Sequence, residues 1–158
     1  MTEEQLPVRP STFAELEKLI GQELGPTEWY EITQDRIDAF AAVTNDHQWI
    51  HVDSERAAAS AFGTTIAHGL FSLSLGPQFS SQLLAFDGFA HSLNYGYDKV
   101  RFPAPVPVGS RLRMRSTVVS AEQLPGGIQV KTRQVLEREG SDKPVAVAEA
   151  VARVVEKS

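Results

Sequence analysis

Asp46 and His51 lie five positions apart in the stretch Asp46-His47-Gln48-Trp49-Ile50-His51, and Ala67-His68-Gly69 then opens an apolar segment. A carboxylate, an imidazole and a glycine-started helix supply two proton-transfer groups and a backbone N–H donor, the parts needed for chemistry beside a carbonyl. A spacing of five does not align two side chains on an ideal helix, so the pair converges only if the backbone turns at His47-Gln48-Trp49. The residues alone leave a second reading open, in which Asp46 caps a helix end or turn and His51 is a packed, hydrogen-bonded histidine. His68 reads as a structural hydrogen-bonding residue that orients the loop before Gly69 rather than as a proton donor. His47 reads as solvated loop. His47 and His51 also stand at i, i+4, a metal-binding spacing on a helix, but the Trp-Ile neighbours and the loop reading weigh against a metal, and the chemistry requires none.

The elements that must position these groups follow from periodicity and capping. Thr12 followed by Glu15 forms a capping-box pattern, and Phe13, Leu16, Leu19 and Ile20 recur at helical spacing up to Gly21. Thr27 to Ile32 reads as a short strand. Thr33 caps a helix with Ile37, Phe40 and Ala41 on one face, which delivers the chain to Asp46. Asp53 or Ser54 caps a third short helix over Ala57 to Ala61, leaving Asp46 and His51 on connecting backbone. From Gly69 to Leu84 an almost wholly apolar helix is predicted, buried on nearly all sides, with a bend near Gly76-Pro77. The second half alternates: Leu112 and Met114 with Arg111, Arg113 and Arg115, then Ile128, Val130 and Thr132 with Gln129, Lys131 and Arg133. These are half-buried antiparallel strands joined by Pro125-Gly126-Gly127 and Gly140-Ser141-Asp142. Further strands are expected around Leu93 to Phe102 and over Val145 to Val155, where alanines between the valines mark a closely packed face. The sum is an α+β fold, an antiparallel sheet wrapped around a central buried helix, in one domain spanning 1–158.

Composition narrows the function. At 158 residues with 42% hydrophobic content the chain can bury one ordinary core. A net charge of −5 argues against a general grip on nucleic acid or an anionic membrane. Cysteine is absent, which removes disulfides and thiol catalysis and suits the cytoplasm. Met1-Thr2-Glu3-Glu4 lacks the blocks of a signal peptide, and no apolar run reaches membrane-spanning length. Lys99, Arg101, Arg111, Arg113 and Arg115 concentrate positive charge that can attract phosphates, although alternating arginines also keep a strand face soluble.

Three blocks in this order, Asp-x4-His at Asp46 and His51, Ala-His-Gly opening a buried helix, and Lys99-Val100-Arg101-Phe102-Pro103-Ala104-Pro105-Val106, resemble the MaoC-like, (R)-specific enoyl-CoA hydratase family. The resemblance covers roughly residues 30 to 155. It implies a hot-dog fold, a second copy of the chain as partner in a homodimer, Asp46 and His51 as the catalytic pair, and the Gly69 N–H as the oxyanion donor. The chain departs from the common pattern at Asn45, Gln48 and Trp49, where that pattern has glycine and Asn-Pro. A hydroxyl that some relatives carry further along the helix falls at Pro77, with Ser72 or Ser74 as substitutes.

The expected activity is reversible addition of water to trans-2-enoyl-CoA, giving (R)-3-hydroxyacyl-CoA in fatty acid metabolism. Water must lose a proton as it attacks C3, C2 must gain one, and the enolate-like thioester oxygen must be stabilised. Acid/base groups contribute about 10²–10⁴-fold each and an oxyanion donor about 10²–10³-fold. Gln48, Asn94, Lys99 and Arg101 are the expected substrate-binding residues. Coenzyme A enters as part of the substrate, with no separate cofactor. A hot-dog acyl-CoA thioesterase and a noncatalytic acyl-CoA-binding subunit are the alternatives.

Overall fold

A computed structural model describes residues 5–158, so the reading of Met1-Thr2-Glu3-Glu4 lies outside the described residues. Four long strands carry the sheet: β3 (His91–Arg101), β4 (Arg111–Leu124), β5 (Gly127–Arg138) and β6 (Ala146–Val155). With the short β1 (Glu23–Leu24) and β2 (Tyr30–Glu31) they form one six-stranded antiparallel sheet in the order β1-β4-β5-β6-β3, with β2 also on β4. The alternation in sequence becomes alternation in space. Leu112, Met114 and Val118 of β4 and Ile128, Val130 and Leu136 of β5 turn inward and are buried.

Across the inner face runs a broken helix, α5 (Gly69–Ser74) and α6 (Gly76–Ser80), interrupted at Leu75. Pro77 explains the break: it has no N–H to offer the carbonyl of Leu73, and its ring crowds that carbonyl. Phe71, Leu75, Phe79 and Leu83 join the strand residues in one hydrophobic core. α5 packs on β6, a strand in which Ala146 and Ala148 are buried. Leu70, expected in that buried helix, is instead 62% exposed because it lies on the face turned from the sheet.

α1 (Phe13–Leu19) begins as its cap dictates, with Thr12 Oγ1 accepting the Glu15 N–H at 3.2 Å. The Glu15 carboxylate reaches back to the N–H of Ser11 rather than of Thr12, at 2.8 Å. The strand expected over Thr27 to Ile32 is only Tyr30–Glu31. Ahead of it Thr27 still holds β4, its N–H donating to Met114 O and its hydroxyl accepting from Met114 N, so a side chain replaces one rung of the ladder. The third helix ends earlier than expected: α4 is Ser54–Ala58, with Asp53 as its cap, accepting the Arg56 N–H. No helix among the described residues is long and apolar enough to cross a membrane.

Candidate active site

α2 (Gln34–Thr44) starts at Thr33, whose hydroxyl accepts the Arg36 N–H, and buries Ile37 and Ala41. It ends at Asn45 in the left-handed conformation (φ 59°), a role a short polar side chain tolerates. That reversal throws Asp46 clear of the helix. The chain then re-enters a single helical turn, α3 (Trp49–Val52), that contains His51. His51 is therefore helical rather than on connecting backbone, which corrects the expectation; Asp46 remains on the loop. The turn forms because the His51 N–H reaches the Gln48 carbonyl at 3.0 Å and the Asp53 N–H reaches that of Trp49 at 3.0 Å.

One residue that the sequence did not single out holds this layer together. Gln34 donates from Nε2 to His51 O (2.9 Å) and Asp38 Oδ1 (2.8 Å), and its Oε1 accepts from Thr65 Oγ1 (2.5 Å). A glutamine after an N-cap carries no signal of such a role. The segment it reaches is itself paired, Ile66 N to Ile50 O and Ala67 N to Val106 O, so α2, α3 and the approach to α5 share one network.

Against that frame His51 Nδ1 lies 2.7 Å from the carbonyl of Ile66. A carbonyl only accepts, so Nδ1 carries the hydrogen and Nε2 keeps its lone pair. Burial is the chief cause that holds the His51 pKa below the ordinary histidine value; the Ile66 hydrogen bond and Asp46 pull it up, and His68 pushes it further down. Asp46 is half exposed, with Oδ1 3.4 Å from the Gln48 N–H. Ligating atoms of Asp46, His51 and His68 all lie within 4.8 Å of one another. The His51 and His68 rings, however, are stacked at 3.8 Å and 22°. An ion between stacked rings would sit out of both ring planes, where imidazole offers no lone pair, so the cluster suits proton transfer better than metal binding.

Gly69 follows His68 as the first residue of α5, where the opening N–H groups have no partner within the helix. The Phe102 ring closes over it: a Cβ there would come within 3.0 Å of the ring carbons. The helix hydroxyls differ in kind. Ser74 Oγ donates to Phe71 O at 2.7 Å, whereas Ser72 is buried and its Oγ has no partner among the described residues.

The structure thus brings Asp46, His51 and the residue before Gly69 into one cluster, and Gln48 adjoins it through its N–H. The other expected binding residues lie elsewhere. Asn94 lines a cavity of about 850 Å³ between the second half of the central helix and strands β3 to β6. Lys99 and Arg101 are exposed on β3, with Arg101 Nη1 donating to Val100 O. The arginines of β4 are engaged: Arg113 and Arg115 each meet Glu137 at 2.8 Å, and Arg111 meets Glu139 at 2.9 Å.

Residues 15–140 match the model of the MaoC like domain. The chain is 50% identical over 143 residues to 3-hydroxyacyl-thioester dehydratase Z of Mycobacterium tuberculosis, covering 90% of this chain and 95% of that protein. It is 41% identical over 145 residues to nodulation protein N of Rhizobium leguminosarum, covering 87% of each. Among solved structures, the unliganded R-hydratase PhaJ1 of Pseudomonas aeruginosa superposes with a TM-score of 0.74 at 28% identity, covering 93% of this chain and 87% of that one.

Proposed function

The chain belongs to the MaoC-like family, as a hydratase/dehydratase with the hot-dog fold, and from that premise we propose that it is an (R)-specific enoyl-CoA hydratase. The reaction is reversible addition of water to trans-2-enoyl-CoA, giving (R)-3-hydroxyacyl-CoA. The observation that carries the reading is the hydrogen bond between His51 Nδ1 and Ile66 O, which leaves the Nε2 lone pair for a water held beside the Asp46 carboxylate.

In the hydration direction Asp46 accepts a hydrogen bond from one hydrogen of the water, which stays on the oxygen, and His51 Nε2 takes the other as the oxygen bonds to C3. The electron pair of the alkene moves to C2 and the thioester oxygen, where the Gly69 N–H stabilises the charge. His51 then returns its proton to C2. One water is consumed, both side chains end as they began, and delivery of both fragments from one side suits a single-handed product. The stereochemistry is supported by the likeness to the Pseudomonas R-hydratase, and a thioester substrate by the name of the mycobacterial relative.

We assign Gln48, whose N–H faces Asp46, to the thioester end, Lys99 and Arg101 to the coenzyme A phosphates, and Asn94 to the acyl group. The working unit is a homodimer. Among the described residues β3 is hydrogen-bonded only to β6, and Leu93 and Tyr95 are exposed beside its free edge, which a second copy would cover with the same strand.

The test follows the ultraviolet absorbance of trans-2-enoyl-CoA of several chain lengths with purified protein, with a thiol reagent in parallel. Loss of absorbance without thiol release, and an (R) product on chiral analysis, is the expected result. Release of coenzyme A would select a thioesterase instead, and binding without either signal a noncatalytic subunit.

A further inference from the structure

We propose that His68 is a positioning residue of this site, whose ring and Nε2–H together fix the Asp46 backbone and the His51 imidazole relative to one another. The inference rests on the reading of Asp46 and His51 as the proton-transfer pair. His68 is 3% exposed and immediately precedes Gly69. One face of its ring stacks on His51 at 3.8 Å, and the ring of Phe40 from α2 lies 4.8 Å away at a tilt of 56°. Phe40 in turn stacks on Phe71 of α5 at 5.2 Å, so α2, α3 and α5 meet through one row of rings.

The hydrogen bond adds direction. His68 Nε2 is 3.0 Å from the backbone carbonyl of Asp46 and 4.0 Å from its Oδ2. The short contact is to a group that only accepts, so Nε2 carries the hydrogen; the carboxylate distance is too long for a hydrogen bond. His68 therefore anchors Asp46 by its main chain and leaves the carboxylate free for water. Its other nitrogen, Nδ1, is buried without a partner among the described residues, so the side chain is spent on this one contact and offers no relay of protons. Through its own backbone His68 leads into Gly69. A single residue thus joins the carboxylate loop, the imidazole and the oxyanion donor.

An apolar ring at this position would fill the space but release the Asp46 carbonyl. A glutamine would keep an N–H for that carbonyl but lose the stack. The titratable groups facing His51 are Asp46 from the loop after α2 and His68 itself; Gln34 and Ile66 contact it as neutral partners.

The experiment compares full-length wild type with His68→Phe and His68→Gln, by steady-state kinetics across pH and by NMR titration of His51. His68→Phe is expected to lower kcat about 10–100-fold with KM within about threefold, the effect of misplacing a reacting group by a fraction of an ångström. His68→Gln is expected to recover part of that loss. In both, His51 titrates at higher pH than in wild type, and the acidic limb of kcat/KM moves with it. Folded variants with unchanged kcat and unchanged His51 titration would overturn the proposal. A fall in melting temperature alone, in either variant, would reduce His68 to packing and overturn it too. Should the wild type hydrate no enoyl thioester, the functional reading fails, while the His51 titration in the variants still decides the positioning role.

Discussion

At the scale of single residues, the two members of the pair differ in what their loss costs. Asp46 is half exposed, so Asp46→Asn changes charge without opening a cavity and alters stability by less than about 0.5 kcal/mol. His51 is buried and bonded to Ile66 O, so His51→Ala strands a carbonyl and costs about 1–3 kcal/mol. Both should lower kcat by at least about 10²-fold, measured on protein shown to be folded by circular dichroism. The pH behaviour has a definite sign. Burial, the main cause, depresses the His51 pKa in the folded protein, so the unfolded chain binds that proton more tightly. The acidic limb of kcat/KM therefore lies below the ordinary histidine value of about 6.5, and stability present above that pH is lost as pH falls through and below it. Urea midpoints at pH 7 and pH 5 should show a drop in wild type that is smaller in His51→Ala.

At the scale of elements, the start of α5 couples the proposed oxyanion donor, the Gly69 N–H, to the chain that leaves β3. The space beside Gly69 is taken by the Phe102 ring, 3.0 Å from where a Cβ would stand. Gly69→Ala brings two opposed effects. Alanine favours helix by up to about 1 kcal/mol over glycine, and the added methyl presses on a ring that is 43% exposed and free to give. Stability should move by less than about 1 kcal/mol, whereas the displaced ring crowds the N–H and kcat/KM should fall about 10-fold. Phe102→Leu added to Gly69→Ala should restore much of the rate; if the double variant is as slow as the single, the ring is not the cause. The same scale separates legible from illegible structure. Thr12, Thr33 and the proline of Pro77 act within a turn of where they stand, so caps and bend follow from local chemistry. The shortening of the strand at Thr27 does not, because it depends on a hydroxyl finding Met114 N across the sheet.

At the scale of the whole molecule, the sheet has one protected side and one bare edge. β1 and β2 cover part of β4, but among the described residues β3 has no neighbour beyond β6, and the cavity of about 850 Å³ opens along the same flank. In the proposed dimer a second copy closes that edge and covers Leu93 and Tyr95, which are otherwise exposed to water. Replacing Leu93 and Tyr95 by Lys should shift the mass measured by light scattering from dimer to monomer and lower activity with it. A wild type that is monomeric at micromolar concentration would remove the dimer from the proposal.

The order and spacing of the Asp46 to His51 block, the Ala-His-Gly block and the strand approaching Pro103 were legible because each is local, as were the alternating strands and the apolar helix from Gly69. What tertiary structure decided lies between segments. The tautomer of His51 depends on the carbonyl of Ile66, the frame around it on Gln34 reaching Thr65, and the stack on His68 on a meeting of rings from α2, α3 and the start of α5. Likewise Arg113 and Arg115 look alike in sequence to a phosphate-binding stripe, yet the register of β4 on β5 sets Glu137 opposite Arg113 and both arginines on its carboxylate. Periodicity and capping are written into neighbouring residues, whereas a side chain's partner across the fold is fixed only when packing brings distant backbone groups within hydrogen-bond reach.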